Sequence, residues 1–177
     1  MYSPPQWNWL PMCMDTGRLY AHDLHTTTAS SSSGGTAWPS ANLALFLPFY
    51  IRVPGIIQSL YTLNGTTGGN IDAGLYNEAG AALFRNGSVA QAGAVQAFTI
   101  TGGLSVGTGR YWFGVAKDDA VGQLRRWTNA TNMTNIQKMF AMAQMTASFP
   151  LPATITFAAS AQAYIPHIGI NFTTQGI

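Results

Sequence analysis

From residue 38 onward the chain is a succession of short apolar runs divided by turn residues. Leu43 to Ile51 is the longest, a continuous run with aromatic and β-branched members that suits a strand buried on both faces, with Pro48 marking a bulge or an edge position. A second strand is predicted over 56–63, ending at Asn64-Gly65. In 70–76, Ile71, Ala73 and Leu75 alternate with Asp72, Gly74 and Tyr76, so one face can be buried while the other meets solvent or a partner. Residues 83–89 are interrupted by Asn86-Gly87, and 95–101 alternate again. The most aromatic strand, 110–117, places Tyr111, Phe113 and Val115 on one side and Arg110, Trp112 and Gly114 on the other. Residues 124–128 extend the pattern, and 153–158 and 164–172 read as two closing strands.

One stretch has a different period. In 133–145, Met133, Ile136, Met139, Phe140 and Ala143 fall at helical spacing behind Asn132 as a cap, while Phe140, Met142 and Gln144 also permit an extended reading. Eight to ten strands spaced about 8–12 residues apart predict an all-β, antiparallel β-sandwich over 37–177, with a jelly roll as its expected form.

Residues 1–36 do not share this pattern. Pro4, Pro5 and Pro11 forbid a regular helix, aromatic residues occur without a period, and 26–36 is a Thr/Ser/Gly tether. Apolar surface costs roughly 25 cal/mol per Å2 to leave in water. Tyr2, Trp7, Trp9, Leu10 and Tyr20 are therefore the assembly-interface candidates of an extended N-terminal arm, docked on a neighbouring surface or folded back on its own domain.

Composition sharpens this picture. Only 8% of residues are charged, against about 25% in ordinary domains, while 47% are hydrophobic. Such a surface is expected to be covered by copies of the chain or by partners. The formal net charge of +2 is scattered, with Arg125 and Arg126 alone adjacent, which gives no footprint for nucleic acid. No apolar run approaches the ~20 residues of a spanning helix, so no membrane partner is expected. The N-terminus lacks the charged and apolar regions of a signal peptide, and Cys13, the single cysteine, fits a reducing compartment.

Candidate chemistry is sparse. Gly103-Leu104-Ser105-Val106-Gly107 matches a nucleophile elbow, with Asp118 or Asp119 and then His167 in the required chain order, yet the motif joins two strands where the chemistry needs a strand-to-helix turn. His22-Asp23-Leu24-His25 offers metal ligands without a completing cluster, and Asp118-Asp119 offers calcium oxygens that serve equally as turn residues. Glu78, the sole glutamate, has no defined carboxylate partner for glycosidase work. Trp112, Arg126 and Trp127 could stack on sugar rings, though aromatics in a sandwich more often fill cores and interfaces. No catalytic residue, metal or cofactor is expected.

The residues Ala37-Trp38-Pro39-Ser40-Ala41-Asn42-Leu43-Ala44-Leu45-Phe46-Leu47-Pro48-Phe49 resemble the opening of a family of tailed-bacteriophage virion-associated proteins. Gly69-Asn70-Ile71-Asp72-Ala73-Gly74-Leu75-Tyr76, Ala79-Gly80, Gly87-Ser88-Val89-Ala90-Gln91-Ala92-Gly93 and Gly109-Arg110-Tyr111-Trp112-Phe113 continue the likeness in the same order. The resemblance implies a non-enzymatic structural or adhesive protein of the virion, assembled in the host cytoplasm. The expected role is a capsid decoration or cement protein whose arm pins it to the major capsid protein, to other virion proteins or to its own copies. It implies a homo-oligomer, a trimer being one form open to it. The competing expectations are a tail or fibre module that binds a receptor or glycan, and an esterase built on Ser105.

Overall fold

The computed structural model describes residues 13–15, 18–20, 35–126, 142–162 and 164–174. Tyr2, Trp7, Trp9, Leu10, the tetrad at 22–25, Trp127 and residues 133–141 lie outside them, and of Tyr20 the backbone alone is described.

Thirteen strands follow in chain order: β1 Cys13–Asp15, β2 Arg18–Tyr20, β3 Gly35–Ala37, β4 Leu43–Ile51, β5 Gly55–Leu63, β6 Asn70–Asn77, β7 Ala82–Arg85, β8 Val89–Ala90, β9 Val95–Val106, β10 Gly109–Lys117, β11 Gln123–Arg125, β12 Ala143–Met145 and β13 Ile168–Thr174. Among the described residues there is no helix. One sheet has the order β1-β2-β13-β5-β9, a second β12-β4-β10-β6-β7 with β8 beside β6, and a small one joins β11 to β3. Every ladder is antiparallel. The pairings nest, with β2 against β13, β4 against β10, β5 against β9 and β6 against β7, alternately in the first and second sheets.

The two large sheets form a β-sandwich around one core. From the second sheet come Leu43, Leu45, Leu47, Phe49, Ile71, Leu75, Phe113 and Val115, and from the first Ile57, Leu60, Phe98, Ile100, Ile168, Ile170 and Phe172. Trp38 seals one end: its indole donates to the Leu43 carbonyl at 2.9 Å and meets the Tyr164 ring edge-on at 5.2 Å.

A second, smaller core lies on the outer face of the second sheet, where Ala44, Phe46, Tyr76, Trp112, Ala116 and, from β12, Ala143 are covered by Leu151 and Ile155. This is why the run at 43–47 is apolar throughout, since Leu43, Leu45 and Leu47 enter the main core and Ala44 and Phe46 the second, while Tyr50 further along is exposed. Pro48 lies beyond the rungs that β12 adds to β4, where β4 has β10 as its partner, so the missing N–H is tolerated at an edge.

The structure changes several expectations. The alternate face of 70–76 meets the chain's own residues 148–155, leaving Asp72 and Tyr76 fully buried. Residues 103–107 are not a hairpin loop: β9 runs on to Val106, and Gly102 and Gly103, both at positive φ, absorb a bulge within its ladder to β5. Residues 153–158 form no strand, because Pro150 and Pro152 remove donors at their start and the backbone makes single rungs, Ala81 to Thr154 and Ala143 to Ala159. The final strand begins at Ile168, later than the expected 164, with Pro166 contributing one isolated bridge to Arg126. Gln123–Arg125 pairs with β3 in the small sheet, outside the main ones. Of the stretch with helical spacing, the described end is β12, whose rungs on β4 decide for the extended alternative there. Within residues 1–36, β1 and β2 add to the edge of the first sheet through β13.

Candidate functional site

The strap over the second sheet, residues 148–158, builds the most differentiated region of the molecule. It is fixed by one polar tie after another. Leu151 N–H donates to Asp72 Oδ2 at 2.9 Å, Tyr76 Oη–H to the Pro152 carbonyl at 2.8 Å, and Arg85 Nη1 to the Leu151 carbonyl at 2.9 Å. Backbone bonds from Ala82 to Ala153 and from Ile155 to Gly80 complete the attachment. Gly87, at φ +82°, turns its N–H onto Asp72 Oδ1 at 2.9 Å.

Between strap and β7 opens a cleft of about 480 Å3, lined by Asp72, residues 82–87, Pro150 and Ala153. Burial raises the Asp72 carboxyl above its ordinary value, against the lowering effect of its hydrogen bonds from Leu151 and Gly87 and of Arg85. Burial also pushes the Tyr76 hydroxyl up, with Asp72 adding to the effect. Neither group is placed to react, since both Asp72 oxygens are engaged and no hydroxyl, thiol or imidazole lines the cleft. What the cleft offers is recognition: the Arg85 guanidinium, the Asn86 amide and the apolar rim of Leu83, Phe84 and Pro150.

A second polar cluster closes one end of the sandwich. Lys117 is fully buried; its Nζ donates to the Gly68 carbonyl and Gln91 Oε1, both at 2.7 Å, and lies 3.4 Å from Asp119 Oδ1. Burial lowers its pKa, with the neighbouring Asp119 opposing. Burial would raise Asp118, but the backbone and side-chain hydrogen bonds from Asn70, with Lys117, hold its carboxyl below the usual range. Gly122 has room for no side chain here, since a Cβ would strike Gln91, Gly68 and Lys117. The two aspartates thus clasp loops together, and among the described residues no three His, Cys, Asp or Glu groups gather as metal ligands.

The elbow residues do not converge. Ser105 is exposed and pairs with Ile56 at one end of β5, whereas the His167 carbonyl accepts from Leu63 N–H at the other end. Seven residues of strand separate these positions, about 23 Å at 3.3 Å per residue, beyond any hydrogen bond. His167 is held below its ordinary pKa by burial and then by Arg125.

The glycan candidates are placed apart. Trp112 is 6% exposed, donates from Nε1 to the Glu78 carbonyl at 3.3 Å, and lies under Phe157 at 4.7 Å and Arg110 at 4.7 Å. Arg126 covers the Tyr164 ring at 5.5 Å, on the side of the main core. Among the described residues the aromatics exposed to solvent are Phe157, 46% exposed, and Tyr50, 41%. Nothing in the pattern around Phe157 marked it, because its stacking partner is 45 residues away in sequence. Asp72 was equally hard to find, since the donor that engages it comes from Leu151, 79 residues on.

Comparison with protein-family models, with curated proteins and with solved structures gave no match.

Proposed function

We propose that this chain is a structural component of a bacteriophage virion, a capsid decoration or cement protein that attaches through its N-terminal arm and through self-association. The observation that carries the reading is the nested strand order. Strands β2, β13, β5 and β9 lie opposite β4, β10, β6 and β7, an order that supports a jelly-roll reading of the sandwich, and jelly rolls are an architecture of viral capsid and lectin domains. The stretches that resemble phage virion proteins fall on β4, β6, β8 and β10, inside that winding. Low charge and a proline- and tryptophan-rich arm support the same reading.

Truncation of residues 1–12 tests the attachment while sparing β1 and β2. Particles assembled with the truncated chain should lose it, and undiminished occupancy would remove the arm from the proposal. Cryo-EM reconstruction of particles then locates the protein: density over the head lattice supports decoration, while density at the tail or fibre favours the second reading. That second reading, a receptor- or glycan-binding module, draws support from exposed Phe157 stacked on Trp112 beside Arg110. Loss of signal for Phe157→Ala on an array of host-surface sugars would favour it, and silence of the unaltered protein across the array would count against it.

A further inference from the structure

The two large sheets have four free edges, and three of them are closed or blunted. β12 is covered by hydrogen bonds from Gln144 N–H to the Ala158 carbonyl and from Ser160 N–H to the Met142 carbonyl. β7 is covered by the bond from Ala82 N–H to the Ala153 carbonyl and by the rung between Ala81 and Thr154. β1 is three residues long and carries Asp15. The fourth edge, β9, is twelve residues long, contains no charged residue and no proline, and pairs with β5 on one side alone among the described residues. Natural sheets guard such an edge with lysine, proline, a short strand or a cover, and among the described residues none of these is present on 95–101. The bulge at Gly102 and Gly103 limits the straight portion to those seven residues without protecting them.

We infer that the β9 edge pairs antiparallel with the β9 edge of a second copy, joining the first sheets of two chains across a two-fold axis. The strand is suited to itself. Phe98 and Ile100 are buried inward while Ala97, Thr99 and Thr101 are exposed outward and Val95 is 60% exposed. An antiparallel partner of the same sequence, centred on Phe98 or on Thr99, places inward residues beside inward ones and outward beside outward. No charge opposes its own image, and the small outward side chains allow close approach. The neighbouring strands agree, as β5 and β13 also carry no charged residue. This inference deepens the self-association part of the proposed function and rests on it for its biological purpose.

The test uses the full chain in sedimentation velocity. The unaltered protein should run as a two-chain species. Ala97→Lys with Thr99→Lys should lose that species, as should Ala97→Glu with Thr99→Glu, and an equimolar mixture of the two variants should regain it. The regained species shows that both variants still fold. An unaltered protein that runs as one chain or three, or a Lys/Lys variant that remains two-chain, overturns edge pairing. Particle occupancy of the same variants separates this inference from the larger reading. A two-chain protein that never enters particles defeats the virion role and leaves the pairing intact, while a one-chain protein found on particles does the reverse.

Discussion

The two sheets of the sandwich meet the outside on different terms. The second sheet is buried on both faces over β4, β10 and β6, because the strap of residues 148–158 brings Leu151 and Ile155 onto Phe46, Tyr76 and Trp112. The first sheet is buried on its inner face, and on the outer side of β9 it presents Ala97, Thr99 and Thr101 to solvent. The difference is written in the strands: nearly continuous apolar sequence in β4, alternation over residues 95–101 of β9. The chain thus supplies its own cover for one sheet and, among the described residues, leaves an uncharged edge strand on the other.

The sharpest way to break the comparison is to delete matched side chains from each outer face. Phe46 is fully buried and meets Tyr76 edge-on at 5.4 Å. Phe46→Ala should cost about 3–5 kcal/mol in urea unfolding, as for other large-to-small core changes. A loss below 1 kcal/mol would mean that the strap is loosely seated. Gly114 comes next, opposite Gly74 across the β10–β6 ladder. A Cβ on Gly114 would sit 2.9 Å from the Tyr76 ring and 3.0 Å from the Phe46 ring. Gly114→Ala should therefore cost about 1–3 kcal/mol by overpacking, measured in the same way.

Asp72→Asn tests the tie between sheet and strap. Its amide can accept from Gly87 or Leu151 but not from both, so a loss of about 1–3 kcal/mol is expected at neutral pH. The titration has a definite sign. Because the folded pKa lies above 3.8, the neutral carboxyl contributes stability that is fully present below pH 3.8 and is lost as pH rises through the folded value. Plotted against pH, the stability of the unaltered protein minus that of the variant should fall across this window, and a difference that rises with pH would show that the hydrogen bonds outweigh burial. His167 has the opposite sign, its contribution being present above pH 6.5 and lost as pH falls through its lowered folded pKa, so His167→Gln should flatten the acid limb of stability below pH 6.5. The smallest effect belongs to the exposed face, where Thr99→Ala should change stability by no more than about 0.5 kcal/mol.

The main core was legible because it depends on local pattern. The double burial of β4, the broken strand around Asn86-Gly87 and the partition of β10 into Tyr111, Phe113 and Val115 against Trp112 and Gly114 all follow from side-chain period. The second core was not legible. Asp72 and Gly74 read as a polar or neutral face, and nothing nearby announces that Leu151 will arrive to bond the one or that Phe46 and Tyr76 will lean over the Gly74–Gly114 pair. The strap itself was misread as a strand because Thr154, Thr156 and Phe157 favour extended backbone, while its proline-led backbone and single rungs come from tertiary placement. The discounted elbow makes the same point: Ser105, Asp118 or Asp119 and His167 follow in a suitable chain order, and β5 holds Ser105 and His167 at opposite ends.

The position of β13 between β2 and β5 also governs how the molecule comes into being. During synthesis, β5 emerges roughly 100 residues before the strand that will lie beside it, and at about 5–20 residues per second that interval lasts some 5–20 s. Throughout it β5 has an open side, β2 has β1 as its one sheet neighbour, and the apolar faces of Ile57 and Leu60 wait for Ile168, Ile170 and Phe172. The nascent polypeptide cannot seal its interior stepwise as it leaves the ribosome, so closure of the first sheet waits for residues 168–174, and premature termination before residue 168 yields a product with that sheet split in two.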